Sequence, residues 1–238
     1  MRIALIGYGK MGQAIEQIAV QRGHEIVLKV SIENIEDNTI TNIKQADVAI
    51  EFTGPEIAFE NVIKCIDAGV PVVSGSTGWL QHLEEARKYC VEKNGALLYA
   101  SNFSIGVNIF FALNRRLAEL MSPHKEYNVS MLEVHHTAKK DAPSGTAITL
   151  AEDILQKNTL KKKWVNNNTT NPQELAIISE RVDPAPGTHV IEYASDIDII
   201  QIKHEALSRK GFATGAVLAA EFLHNKKGIY NMNDVLGI

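Results

Sequence analysis

The stretch Ile3-Ala-Leu-Ile-Gly-Tyr-Gly-Lys-Met-Gly12 decides the fold of this chain. Its first four residues are continuously apolar, as in a strand buried on both faces of a parallel sheet. The glycines that follow have GxGxxG spacing. The first permits a tight turn, the second lets a pyrophosphate approach the backbone, and the third lets the next helix pack closely on the strand. Met11, Ile15, Ile18 and Ala19 then recur at helical spacing until Gly23 ends the helix. A helix that opens straight after such a loop offers free N–H groups and the positive end of its dipole to phosphates. A lone GxGxxG says little; between a strand and a helix it predicts a nucleotide site.

The alternation continues outward from there. Residues 24–32, 47–53, 70–74 and 96–100 read as strands, and residues 57–68 and 80–93 as helices. Short apolar strands alternating with helices mean βαβ units and a parallel sheet, with ligands at the strand C-terminal edge. Each cluster of small residues lies just after one of these strands.

The pattern changes after about residue 104. Residues 105–121 and 147–156 read as helices. Residues 127–135 read as a partly alternating strand, and 160–172 as an exposed polar loop carrying Lys161-Lys-Lys163 and Asn166-Asn-Asn168. Residues 176–181, 187–194 and 196–205 are strands in succession, hence an antiparallel or mixed sheet. Residues 214–225 form a last helix that returns to cover the first sheet. The expectation is an α/β fold: a Rossmann-type, doubly wound parallel domain from residues 1–103 and 209–238, and an inserted α+β domain, 104–208, with a mixed sheet.

In the first domain, Gly7, Tyr8, Gly9, Lys10 and Met11 are the candidate pyrophosphate loop. An acid about 20 residues on should hold the ribose hydroxyls, and Glu33 is the candidate. No arginine follows it, so NADH is favoured slightly over NADPH. Gly75, Ser76 and Thr77, with Ala100, Ser101, Asn102 and Phe103, are small-residue strand ends beside which a nicotinamide half could lie, Phe103 stacking on it. Arg209, ahead of the last helix, is a candidate cation for cofactor or substrate.

The second domain holds Glu133-Val-His-His-Thr-Ala-Lys-Lys-Asp-Ala-Pro-Ser-Gly-Thr-Ala147. Two imidazoles, two ammonium groups and a helix start crowd into one short run. Pro143 suits a helix start and Ser144 can cap it. The N–H groups of Gly145 and Thr146 would then face an anion, with the helix dipole in favour. His135 and His136 point to opposite sides if the strand reaches them. A zinc reading finds no third ligand at a usual spacing.

Composition excludes several alternatives. The net charge of -4 argues against a nucleic-acid partner. Cys65 and Cys90 make neither a disulfide framework nor a zinc pattern, and read as buried thiols of a reducing compartment. No run approaches the ~20 apolar residues of a membrane span, and the chain starts in a strand with no cleavable leader. The expectation is a cytoplasmic protein with no membrane partner.

Taken together, Gly7–Gly12, Gly75–Gly78, Ser101-Asn-Phe-Ser-Ile-Gly-Val-Asn108, residues 133–147 and residues 204–215 resemble the 4-hydroxy-tetrahydrodipicolinate (dihydrodipicolinate) reductase family over nearly the whole chain. The run His-His-x-x-Lys-x-Asp-x-Pro-Ser-Gly-Thr-Ala is its most specific part. The resemblance implies a substrate domain that forms a homotetramer through its sheet. It implies hydride transfer from NADH or NADPH to a cyclic imine dicarboxylate, with loss of water, in lysine and diaminopimelate biosynthesis. It makes His135 the proton donor and Lys139 the second acid, with His136, Gly145 and Thr146 on the substrate carboxylates. The glycine loop, Glu33 and the two small-residue strand ends would take the cofactor. Three features depart from the family: the family glycine loop is often one residue longer, Asn34 stands where a basic residue commonly follows the ribose acid, and the chain is short, with the loop after the second strand trimmed. Rival readings are another two-domain NAD(P)-dependent dehydrogenase of a small carboxylate or aldehyde, and a nucleotide sensor without activity. A sensor needs no proton donor.

Overall fold

The computed structural model describes residues 1–208 and 210–238. In chain order its strands and helices begin β1 (Arg2–Ile6), α1 (Lys10–Gln21), β2 (Glu25–Val30), α2 (Ile40–Ile43), β3 (Val48–Glu51), α3 (Ala58–Asp67), β4 (Val72–Ser74), α4 (Leu83–Glu92) and β5 (Ala96–Tyr99). Then follow α5 (Ile105–Met121), β6 (Asn128–His135), α6 (Gly145–Lys157), β7 (Lys163–Val165), β8 (Glu174–Arg181), β9 (Thr188–Ala194) and β10 (Ile199–Glu205). The chain closes with α7 (Lys210–Leu223), β11 (Gly228–Tyr230) and α8 (Met232–Leu236). Two compact units result. One joins Met1–Asn108 to Lys210–Ile238; the other covers Ile109–Arg209, described up to Ser208.

The first unit is a six-stranded sheet in the order β11-β5-β4-β3-β1-β2, and every pairing is parallel. Strand β1 shows why its sequence lacks alternation. Ile3 and Leu5 pack on one face with Ile15 and Ala19 of α1 and Ala216 and Val217 of α7. Ala4 and Ile6 pack on the other with Val62 and Ile66 of α3 and Ala86 of α4. Both faces are dry, so both must be apolar. The sequence runs outward from β1 in two directions, to β2 and to β3, which places the switch point of the sheet at the glycine loop. The sixth strand, β11, has three residues, too few for a periodic signal. It is followed by a capping box in which Asn231 and Asp234 satisfy the first turn of α8.

The second unit is a mixed five-stranded sheet, β10-β9-β6-β8-β7. Strand β6 lies antiparallel to β9 and parallel to β8. One face carries Val129, Met131, Leu175, Ile177, Ile191 and Tyr193 against Leu150, Ala151 and Ile154 of α6 and Phe110 and Met121 of α5. Along β6 the buried positions are 129, 131, 133 and 135. The period that buries Val129 and Met131 therefore puts Glu133 and His135 on the same covered face. The polar stretch expected as an exposed loop is partly ordered and partly buried. Lys161 lies inside, donating to Asn128 Oδ1 at 2.7 Å and to the Glu174 carbonyl at 2.8 Å, and Lys163–Val165 add an edge strand to β8. A cation held by two well-placed oxygens can be buried where an unpartnered one cannot. No helix among the described residues is long and apolar enough to cross a membrane.

Candidate active site

In the first unit a cavity of about 480 Å³ opens at the C-terminal ends of β1, β2 and β3. Gly7, Tyr8, Gly9, Ser31, Thr53 and Gly54 are among its walls. The three loop glycines do different work. A Cβ on Gly7, whose φ is +103°, would lie 2.0 Å from the Phe52 carbonyl oxygen. A Cβ on Gly12 would lie 2.4 Å from the Gly7 carbonyl oxygen, so α1 could not pack on the loop. A Cβ on Gly9 would meet nothing within 4 Å; that glycine leaves open space beside the backbone. Among the described residues no side chain caps α1, and no acid sits in its first turn. Its N–H groups and dipole are left for an anion, and a dinucleotide pyrophosphate fits. Lys10 and Met11 continue from the loop into this first turn.

A buried carboxylate organises the neighbouring strand ends. Glu51, at the end of β3, is fully buried. It accepts the Ser74 hydroxyl at 2.7 Å, the Ser76 hydroxyl at 2.6 Å, the Thr53 N–H at 2.9 Å and the Thr53 hydroxyl. The Ser76 hydroxyl is thus spent on the scaffold, while Gly75 fits under the Phe52 ring, where a Cβ would lie 2.1 Å from it. Thr77 and Ser101 are exposed and Ala100 is half-buried. Asn102 folds back to cap the Ser104 N–H at 2.9 Å. Phe103 corrects the stacking expectation: its ring is in the core beside Phe52, and its carbonyl packs on Gly215 of α7, where a Cβ would lie 1.7 Å from the oxygen. Glu33 is exposed, with its N–H on the Ser31 hydroxyl at 3.1 Å. The cavity wall at the end of β2 is formed by Ser31 and Ile32. Arg209 lies outside the described residues.

In the second unit the residues 133–147 fold as strand, loop and helix. Ser144 caps α6, its hydroxyl accepting the Ala147 N–H at 3.1 Å. The N–H groups of Gly145 and Thr146 find no acceptor among the described residues, and a Cβ on Gly145 would meet nothing within 4 Å. That end of the helix is open for a carboxylate. His135 ends β6, buried against the backbone of Gly187, where a Cβ would lie 3.2 Å from the imidazole Nε2. His136 follows, half-buried, its carbonyl accepting the Lys139 N–H at 3.1 Å. Lys139 pairs with both Asp141 oxygens at 2.8 Å.

Four residues at this centre escaped the sequence reading as site residues: Glu133, Arg181, Gly187 and His189. Glu133 is 1% exposed. Its two oxygens accept the Ser144 N–H at 3.0 and 3.1 Å. Arg181 Nη2 reaches one of them at 3.3 Å, and His135 Nδ1 and His189 Nε2 lie 3.4 and 3.7 Å from the other. Arg181 also donates to the carbonyls of Lys139 and Asp141, fixing the loop that carries Lys139. The Ser144 hydroxyl and His189 Nε2 are 3.2 Å apart. Strand register explains the gathering: Glu133 faces His189 on β9, which faces His204 on β10. Glu133 was visible in the motif, but its partners lie 48 and 56 residues further on.

Burial sets the electrostatics. It pushes the His135 imidazole down, an effect opposed by Glu133 and reinforced by Lys139 and Arg181. It pushes His189 down to about 4, with His135 adding to the effect. His204 is lowered by burial alone. For Glu133 burial works upward, but hydrogen bonds from Ser144 and Ser179 and the facing His135 outweigh it, and the carboxyl is lowered. Glu133, His135 and His189 also bring donor atoms within 4.8 Å of one another. The Glu133 oxygens already accept Ser144 and Arg181, so the cluster is a charge and proton network.

A glycine-loop nucleotide unit together with an α+β unit built around buried acid–base groups defines a nicotinamide-dependent oxidoreductase. Comparison with known proteins narrows this class. The family profile "Dihydrodipicolinate reductase, N-terminus" matches residues 1–103, and "Dihydrodipicolinate reductase, C-terminus" matches residues 106–236. The chain belongs to the dihydrodipicolinate reductase family, whose members are NAD(P)H-dependent. It is 48% identical to a 4-hydroxy-tetrahydrodipicolinate reductase from Christiangramia forsetii, over 99% of this chain and 98% of that protein. It is 33% identical to the enzyme of that name from Neisseria meningitidis, over 94% and 84%. A dipicolinate-bound dihydrodipicolinate reductase from Paenisporosarcina shares the fold, with a TM-score of 0.77 over 98% of both chains at 23% identity.

Proposed function

We propose that the chain reduces 4-hydroxy-tetrahydrodipicolinate to tetrahydrodipicolinate at the expense of NAD(P)H, in lysine and diaminopimelate biosynthesis. The observation that carries this reading is the open α6 N-terminus tied through Glu133 to a buried His135. A bound nicotinamide would supply the hydride, and the substrate would lose its 4-hydroxyl as water, which consumes one proton. His135 donates that proton and Lys139 serves as the second acid. His136 and the N–H groups of Gly145 and Thr146 hold the carboxylates. Fixing both carboxylates restricts the ring to one orientation.

His135 is held neutral by burial in the free protein. A dicarboxylate brings negative charge beside it and raises its pKa again. The substrate thus arms its own donor. Dipicolinate should therefore bind with proton uptake, and more tightly at about pH 6.5 than at about pH 8. Calorimetry in buffers of different ionisation enthalpy reads this directly; binding without proton uptake would count against His135 as donor.

The cavity wall supports a slight preference for NADH. It carries Glu56 and Glu60, and the Lys64 ammonium there is committed to the Asn38 carbonyl at 2.8 Å. A 2′-phosphate would meet net negative charge. Cys65 and Cys90 are buried free thiols, which suits a reducing cytoplasm. Ile199 and Ile200 open the edge strand β10 and are exposed, as is Ile197 just before it, and an apolar edge of this kind supports a homotetramer built on this sheet. Light scattering tests the assembly. Oxidation of NADH on substrate freshly made by a coupled synthase tests the activity. Oxidation of NADH with other small carboxylates or aldehydes, and none with this substrate, would overturn the assignment.

A further inference from the structure

Glu133 is the most buried ionised group at the acid centre, and its partners belong to two different tasks. Through the Ser144 N–H it holds the first turn of α6, whose free N–H groups are the carboxylate cradle. Through its other contacts it faces the imidazoles of His135 and His189 and the Arg181 guanidinium. A carboxylate this deep must keep such partners or lose its charge. Its hold on one side is therefore linked to its hold on the other.

We propose that Glu133 is the positioning residue that couples the two halves of this site: one carboxylate sets both the His135 imidazole and the α6 N-terminus, so that proton donor and carboxylate cradle form one mechanical piece. The proposal rests on the reading above, in which His135 donates and α6 grips the substrate. The charges around His135 show why Glu133 matters there. Lys139 and Asp141 face it from the loop after β6, Arg181 from β8 and His189 from β9. Lys139 and Asp141 already neutralise each other at 2.8 Å. Among the described residues the ion pair of Arg181 is with Glu133, and Asp141 adds a weaker attraction. Without the Glu133 carboxylate the imidazolium would sit beside a guanidinium that has lost its ion-pair partner.

His189 completes the arrangement. Its ring lies edge-on to His135 with centroids 5.1 Å apart, and its Nε2 is shared between the Ser144 hydroxyl and Glu133. Its Nδ1, like the His135 Nδ1 that faces Glu133 at 3.4 Å, is buried without a hydrogen-bond partner among the described residues, so Glu133 acts on the donor through its charge. The cap of the cradle and the face of the donor thus meet on the same pair of side chains.

Three variants separate the coupling from a merely structural role. Glu133→Gln keeps an oxygen for the Ser144 N–H and can turn its amide toward His189, but it loses the charge. Glu133→Ala loses both. Glu133→Asp keeps the charge on a shorter arm. Titration of the His135 ring by NMR should show its pKa lowered by at least about half a unit in Glu133→Gln and restored in part in Glu133→Asp. Calorimetry with dipicolinate as the probe should show affinity at least about tenfold weaker in Glu133→Ala than in Glu133→Gln at one pH, because only the first releases α6. NADH affinity should be unchanged in all three. An unaltered His135 titration in Glu133→Gln overturns the proposal, and so does equal dipicolinate affinity in Glu133→Gln and Glu133→Ala. Should Glu133→Ala fail to fold, Glu133→Asp replaces it in the affinity comparison, with weaker binding than Glu133→Gln expected and equal binding fatal. Wild-type turnover in His135→Gln would remove the donor assignment instead, and neither Glu133 measurement depends on that result.

Discussion

Two buried carboxylates occupy comparable places, one in each unit, and do different work. Glu51 ends β3 beside the nucleotide cavity and is filled by three hydroxyls and one backbone N–H. Glu133 lies one turn of strand before the end of β6 and faces two imidazoles and a guanidinium as well as the Ser144 N–H. All the donors to Glu51 are neutral and keep their protons over the whole physiological range. Those around Glu133 include groups that titrate. The first carboxylate is scaffolding for a backbone-built site that carries a cofactor. The second sits in a site built from side chains, which must move a proton.

The contrast can be broken most forcefully at His135 and Lys139. His135→Gln and Lys139→Ala should each lower kcat by at least ~10²-fold, the range of a general acid, while NADH affinity barely moves. Loss of NADH affinity in either variant would mean that the two sites are not chemically separate.

Acid should distinguish the units next. His189 is lowered to about 4 from an ordinary 6.5. A histidine held neutral in the fold takes up its proton on unfolding. Its contribution is therefore complete above about pH 6.5 and is lost as pH falls toward its folded value. The full loss is on the order of 3 kcal/mol. His135 and His204 are lowered in the same sense. Glu133, lowered instead from 4.5, also loses its contribution as pH falls through its folded value. Hydrogen exchange should show β6, β9 and β10 opening at a pH where the parallel sheet stays closed, and His189→Gln should flatten the dependence. Equal acid sensitivity of both sheets would erase the difference.

Gly75→Ala tests the other side of the comparison. The new methyl collides with the Phe52 ring at 2.1 Å, so the loop must shift. An NADH affinity lowered about tenfold, about 1.4 kcal/mol, with an unaltered His135 titration, is the expected result. The smallest effect is the cofactor preference. The values of kcat/KM with NADH and NADPH should differ by less than about tenfold, since among the described residues the charged groups of the cavity wall are Glu56, Glu60 and a committed Lys64. A stronger preference for NADPH would show that the cavity charge is read wrongly.

Much of this was legible in the linear chain. Met11, Ile15 and Ala19 mark α1, and the strand-then-glycine order marks the nucleotide loop, because the steric needs of a turn are met by the residues in it. Ser144 as a helix cap was equally local. Elsewhere the sequence misled or was silent. Phe103 ends a strand where a stacking ring would serve, yet it packs on Phe52. Lys161 sits in a polar run, yet two oxygens from distant strands draw it inside. Strand β11 is too short to show a period.

The sequence by itself determined the βαβ order, the glycine loop and the list of acids and bases at 133–147. These follow from contacts between near neighbours in the chain. Only the tertiary structure decided what those acids and bases do to one another. Arg181 and His189 reach Glu133 because Met131, Ile177 and Ile191 must share one dry face under α6, which fixes the register of β6 between β8 and β9. The hydrophobic packing of three strands sets the electrostatics of the proton donor, and no local pattern in any one of them records that.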